Sequence, residues 1–177
     1  MSKNTFSKKL CFCAVMAALY VGLDFLSTAL SSALGGSVKI SLNAIPVIIT
    51  AVCVGPLWAA ASGFTGAFIG QLITYGLSAT TLLWCAPAVL RGLTVGLLFI
   101  AFGRSLKRAP LVLNTVISAL IVTAANTAVM YLDAKIYGYP VTLFGIILVT
   151  RILSGVVTAV VISLLIPPVI KRLKGYI

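Results

Sequence analysis

The sequence predicts an all-α integral membrane bundle of six transmembrane helices with both termini cytoplasmic, and three observations predict it. Mean hydropathy is +1.19 and only 8% of the 177 residues are charged, against about a quarter in soluble globular domains. Apolar residues gather into six runs, roughly 9–31, 41–55, 57–76, 82–103, 110–133 and 142–168, and a bilayer crossing takes about 20 residues. The basic residues fall into three clusters: Lys3, Lys8 and Lys9; Arg104, Lys107 and Arg108; Lys171, Arg172 and Lys174. If all three face the cytoplasm, the number of spans must be even overall and even before Arg104, which six spans, four of them before Arg104, satisfy. Residues 1–177 then form a single transmembrane domain.

The net charge of +11 reads through this distribution as a topology signal with lipid head groups as secondary partners, not as a nucleic-acid footprint. The opposite side keeps Lys39, Lys135 and Asp133, with polar and aromatic loops at about 77–81 and 134–141. Cys11, Cys13, Cys53 and Cys85 are scattered among apolar residues. With no histidine and no CxxC spacing, neither a metal nor a redox site is expected.

The first span begins like a secretory signal, with a basic start, an apolar run and small residues from Ser27 to Ser31. Asp24 inside the run and the even span count argue for a retained helix. Ala14, Ala18 and Gly22 lie four apart and form a small-residue stripe, suited either to packing within the bundle or to docking of another subunit. The second span is short, and Pro46 is expected to kink it. The third, fourth and sixth carry small residues at helical spacing, namely Ala59, Gly63, Gly66 and Gly70; Gly92 and Gly96; Gly155, Ala159 and Ser163. These are expected packing seams.

The segment from Gln71 to Trp84 is the most polar and aromatic of the chain. Tyr75 and Trp84 suit an interfacial belt, but Gln71, Thr74, Thr80 and Thr81 beside them also suit a heteroaromatic ligand.

Arg91 and Arg151 each interrupt an apolar run, where a guanidinium costs about 2.5–3.5 kcal/mol on insertion scales. Such a residue is expected to face a protein-lined cavity. A rise of 1.5 Å per residue puts Asp24, Arg91 and Arg151 all roughly 12–14 Å below the external surface. One carboxylate cannot neutralise two guanidinium groups, which leaves a positive charge for an anionic ligand. Asn126 lies at the same depth and Gln71 just above it, each offering an amide. An outward-facing cavity with arginine at its floor, amides on its wall and aromatic rings at its mouth fits a flat solute bearing an acidic group.

With these residues in place, the chain resembles the substrate-binding S-components of energy-coupling factor (ECF) vitamin transporters. The likeness lies in length, span number, the Ala14-x-x-x-Ala18 motif, the segments Lys39-Ile-Ser-Leu-Asn-Ala-Ile-Pro-Val-Ile-Ile and Gly55-Pro-Leu-Trp-Ala, and the run from Gly70 to Trp84 with Pro87 and Arg91-Gly92-Leu. The last three look like the folate-type branch. The resemblance implies a multi-pass protein of the bacterial plasma membrane that docks through Ala14, Ala18 and Gly22 onto a transmembrane coupling subunit, with two ATPase subunits supplying energy. The chain itself would bind no cofactor and act as no enzyme; it contains no G-x-x-x-x-G-K-[ST] loop. For folate, Asp24 or Gln71 would read the pterin edge, Arg91 and Arg151 would meet carboxylates, and Tyr75, Trp84, Tyr131 or Tyr139 would stack. Pantothenate or riboflavin remain alternatives, as do a self-sufficient secondary transporter and, with so few proton carriers, a membrane enzyme.

Overall fold

The computed structural model describes residues 3–33, 40–138 and 144–173. Lys39, Tyr139 and Lys174 lie outside them. Among the described residues the chain forms helices and no strands: α1 (Lys3–Ala33), α2 (Ala44–Cys53), α3 (Pro56–Tyr75), α4 (Thr81–Ala101), α5 (Arg108–Tyr137) and α6 (Phe144–Leu173). Five contain stretches long and apolar enough to cross a membrane.

The exception is α2. The expected span at 41–55 is a helix of 10 residues, about 15 Å long and so half of a bilayer core of about 30 Å. Pro46 explains part of the difference. It stands in the first turn of α2, where backbone N–H groups have no intrahelical acceptor to lose, so it opens the helix instead of kinking it. Residues 40–43 ahead of it are not helical. Gly55, with φ at +124°, then turns the chain into Pro56 at the start of α3, a conformation that side-chain-bearing residues rarely adopt.

Contacts between helices fix their directions. Ser62 donates to the Cys13 carbonyl at 3.3 Å, Gly66 lies against Tyr20 and Gly70 faces Asp24, so α1 and α3 run parallel and α2 returns the chain between them. Gly63, Gly92 and Gly96 lie against Ala88, Ala59 and Pro56 respectively, which makes α4 antiparallel to α3. Asn114 Nδ2 donates to the Val95 carbonyl at 2.9 Å and Thr94 to Ser118 at 3.3 Å, turning α5 back. Gly155 against Thr123 turns α6 back again. The start of α1, the α4–α5 turn and the end of α6 therefore share one end of the bundle, and with them Lys8, Lys9, Arg104, Lys107, Arg108 and Arg172.

The core centres on α2, which packs against α1, α3, α4 and α6. Its Val47, Ile48, Ile49 and Ala51 are buried among Met16 and Tyr20 of α1, Val95 and Phe99 of α4, and Ile162, Ile166 and Ile170 of α6. The expected small-residue seams pack as such: a Cβ at Gly92 would lie 2.6 Å from backbone atoms of Ala59 and Ala60, and one at Gly96 2.6 Å from Pro56. The stripe on α1 does not. Ala14, Ala18 and Gly22 are exposed, while Cys13, Met16, Ala17 and Tyr20 face inward, so the intramolecular packing reading of that stripe fails.

Candidate functional site

Tyr20 and Asp24 are one turn apart on the inner side of α1. Asp24 Oδ1 accepts a 2.9 Å hydrogen bond from Nδ2 of Asn43, the residue that precedes α2. The backbone around this contact is fixed by Ser27, whose hydroxyl donates to the Leu23 carbonyl at 2.6 Å and accepts from the Leu42 N–H at 3.0 Å. The carboxylate sets the orientation of the amide: reversing it would bring two acceptors together. Asn43 Oδ1 is left buried with no partner.

Arg91 completes this group from α4. It is half-buried and lies within electrostatic reach of Tyr20, which in turn lies within reach of Asp24. Among the described residues the Arg91 guanidinium forms no hydrogen bond and no ion pair, and the Tyr20 hydroxyl forms no hydrogen bond. A guanidinium, a phenol and an amide oxygen with hydrogen-bonding capacity unspent are thus linked stepwise inside the bundle, Arg91 to Tyr20, Tyr20 to Asp24 and Asp24 to Asn43. Unmet buried polar groups are rare in folded proteins.

Arg151 has a different environment. Its Nη1 donates to the Asn126 carbonyl at 3.2 Å, and its Cζ lies 5.8 Å from the centroid of the Trp84 ring, a cation–π distance. The indole Nε1–H donates to Asp133 Oδ1 at 3.3 Å. These contacts tie α4, α5 and α6 together. Asp133 stands on α5 and not in a loop, because the helix continues to Tyr137.

The predicted site residues therefore separate. Asp24 and Arg91 belong to one group, with Tyr20 and Asn43, which were not among the residues expected at the site. Trp84, Asn126 and Arg151 belong to a second, with Asp133; Asn126 contributes its main-chain carbonyl there. Gln71 is half-buried beside Gly70, the residue that faces Asp24. Tyr75 is 75% exposed and Tyr131 50% exposed, Tyr131 in the lining of a groove between α5 and α6. The hydroxyls expected to meet a ligand between α3 and α4 serve the chain itself: Thr81 Oγ1 accepts from the Ser78 N–H at 2.9 Å and lies 3.0 Å from the Ser78 hydroxyl, and Thr80 and Thr81 are buried. One sequence signal pointed to Tyr20, its position four residues before Asp24.

The groove between α5 and α6, of about 750 Å³, is lined by neither Arg91 nor Arg151. Among the described residues no cluster of His, Cys, Asp or Glu could hold a metal.

This arrangement defines a multi-pass helical membrane protein with uncompensated polar groups in its interior. Comparison with protein-family models, with curated proteins and with solved structures returns no match.

Proposed function

We propose that this chain is the substrate-binding subunit of an ECF-type vitamin importer, with folate as its ligand. The observation that carries the reading is the grouping of Arg91, Tyr20 and the Asn43 amide oxygen, all unsatisfied, with the Asp24 carboxylate. An unmet amide oxygen and an unmet phenol with a cation in the same group match a heteroaromatic ring with an N–H edge joined to an acid, as in a pterin and its glutamate tail. Pantothenate, an aliphatic acid, would use the cation and leave the amide oxygen and the phenol unmet. Arg91 is the contact for the ligand's carboxylate, since Arg151 already holds a carbonyl and an aromatic face.

In this reading the protein captures folate from outside and carries out no chemistry. A transmembrane coupling subunit docks on the exposed Ala14, Ala18 and Gly22 face, and two ATPase subunits hydrolyse ATP. The alternating helix directions support six passes, with α2 and the residues before it completing the second, and the shared basic end supports cytoplasmic termini in the bacterial plasma membrane. Mass spectrometry of the small molecule released from protein purified out of folate-supplemented cells tests the proposal. Folate at near-equimolar amount supports it; a different vitamin would keep the importer and remove folate, and uptake into protein-only liposomes driven by an ion gradient would replace the importer with a secondary transporter.

A further inference from the structure

The groove between α5 and α6 is built for hydrocarbon. Its threonine hydroxyls donate within their own helix, Thr123 to the Ala119 carbonyl at 2.8 Å and Thr127 to the Thr123 carbonyl at 2.9 Å, and Tyr131 stands at its far end. Gly155 brings α6 so close that an added Cβ would lie 2.6 Å from Thr123 Oγ1, and Ala124 and Ala128 leave the space above it open. Most of its lining is aliphatic, from Val116, Leu120, Ile152, Val156 and Val160, which favours an acyl chain over a polar solute.

At Val116 this groove meets a second concavity of about 490 Å³ lined by Arg108, Val112 and Leu113. The apolar track along α5 therefore ends on a guanidinium. Arg104 and Lys107 are exposed beside it, and Lys107 makes no side-chain cap, so N–H groups of the first turn add to the positive field. From Arg108 the lining of α5 continues to Tyr131, about 35 Å away, and its first half, to Ala119, runs about 16 Å, close to half of a hydrocarbon core of about 30 Å.

We propose that this track is a binding site for one anionic phospholipid from the leaflet at the Arg108 end, its phosphate on Arg108 and one acyl chain along Val112 and Val116 into the α5–α6 groove. Charge selects the lipid: a zwitterionic head group brings its own cation to a surface already carrying three. The inference is independent of the vitamin reading.

Native mass spectrometry of the full chain, released from detergent after titration with phosphatidylglycerol or phosphatidylcholine, tests it. The expected result is one retained phosphatidylglycerol, with phosphatidylcholine retained less. Arg108→Ala should weaken retention about fivefold, and Ala119→Phe or Ala124→Phe, which fill the part of the groove nearer Arg108, should abolish it. Val15→Phe, an exposed control on α1, should leave it unchanged. Equal retention of both lipids, undiminished retention in both filled variants, or a second copy of the chain held in place of lipid would overturn the proposal.

Discussion

At Tyr20 and Trp84 two aromatic side chains with polar tips behave in opposite ways, and the difference can be tested one atom at a time. The Tyr20 hydroxyl has no partner in the described structure, so Tyr20→Phe removes an unmet group. It should leave the thermal midpoint of the ligand-free protein unchanged or higher while weakening ligand binding by about 0.5–1.5 kcal/mol, the net worth of one hydrogen bond. Trp84→Phe removes a bond that is made, to Asp133, and weakens the face presented to Arg151. It should destabilise the free protein by about 1 kcal/mol and leave affinity near wild type. Thermal unfolding in detergent and calorimetric titration on the same samples separate the two; a Trp84→Phe protein that keeps its midpoint but loses affinity would put the indole back in the ligand site.

The sequence placed Asp24, Arg91 and Arg151 at one depth but could not place them around the bundle. Helical rise converts residue number into height, whereas the side of the bundle that a residue faces depends on how neighbouring helices pack. Asp24 and Arg91 met within one group for that reason, and Arg151 did not. Asn43 escaped notice because its role arises only where the start of α2 touches α1. Tyr20, a lone polar aromatic residue on the inner face of an apolar helix, was legible in principle.

Helix boundaries were legible where an apolar run was long: α3, expected at 57–76, spans Pro56–Tyr75, and α4, expected at 82–103, spans Thr81–Ala101. The second element was not, because proline at the first turn and proline in a helix interior look alike in sequence until the helix start is known. The glycine seam between α3 and α4 was readable from spacing alone. There Gly92→Ala should destabilise the fold by about 1–3 kcal/mol, the usual cost of overpacking, because the new methyl meets rigid backbone at Ala59 and Ala60. An unchanged unfolding midpoint would show that the helices can separate freely. On α1 the seam logic gives the opposite expectation. Ala18→Trp projects from an exposed face, so folding and ligand binding should survive while copurification of a coupling subunit is lost; recovery of the partner at full yield would rule out that face as its dock.

For the whole molecule, the distribution of charge carried more information than its sum. Basic residues separated in sequence by some 60–100 positions, among them Lys8, Arg108 and Arg172, lie toward one end of the bundle because the helices alternate in direction. What sequence could not supply was the shape of the interior: composition gives the number of polar groups in the membrane but not which of them satisfy one another. Arg151 engages a carbonyl and an indole, whereas the Arg91 guanidinium makes no hydrogen bond among the described residues and in the proposed reading serves the ligand.

That assignment is the central claim, and calorimetric titration of folate, pantothenate, riboflavin, thiamine and biotin into detergent-solubilised wild type, Arg91→Ala and Arg151→Ala tests it most directly. The account predicts saturable folate binding to wild type at nanomolar concentration, about −12 kcal/mol. Arg91→Ala should lose about 2–5 kcal/mol of it, the usual cost of truncating one member of a buried charged pair, with Arg91→Lys recovering part because a point charge replaces a bidentate fork. Arg151→Ala should stay within about 1 kcal/mol of wild type once its stability loss is allowed for. Folate binding to a folded Arg91→Ala protein with wild-type affinity would contradict the account.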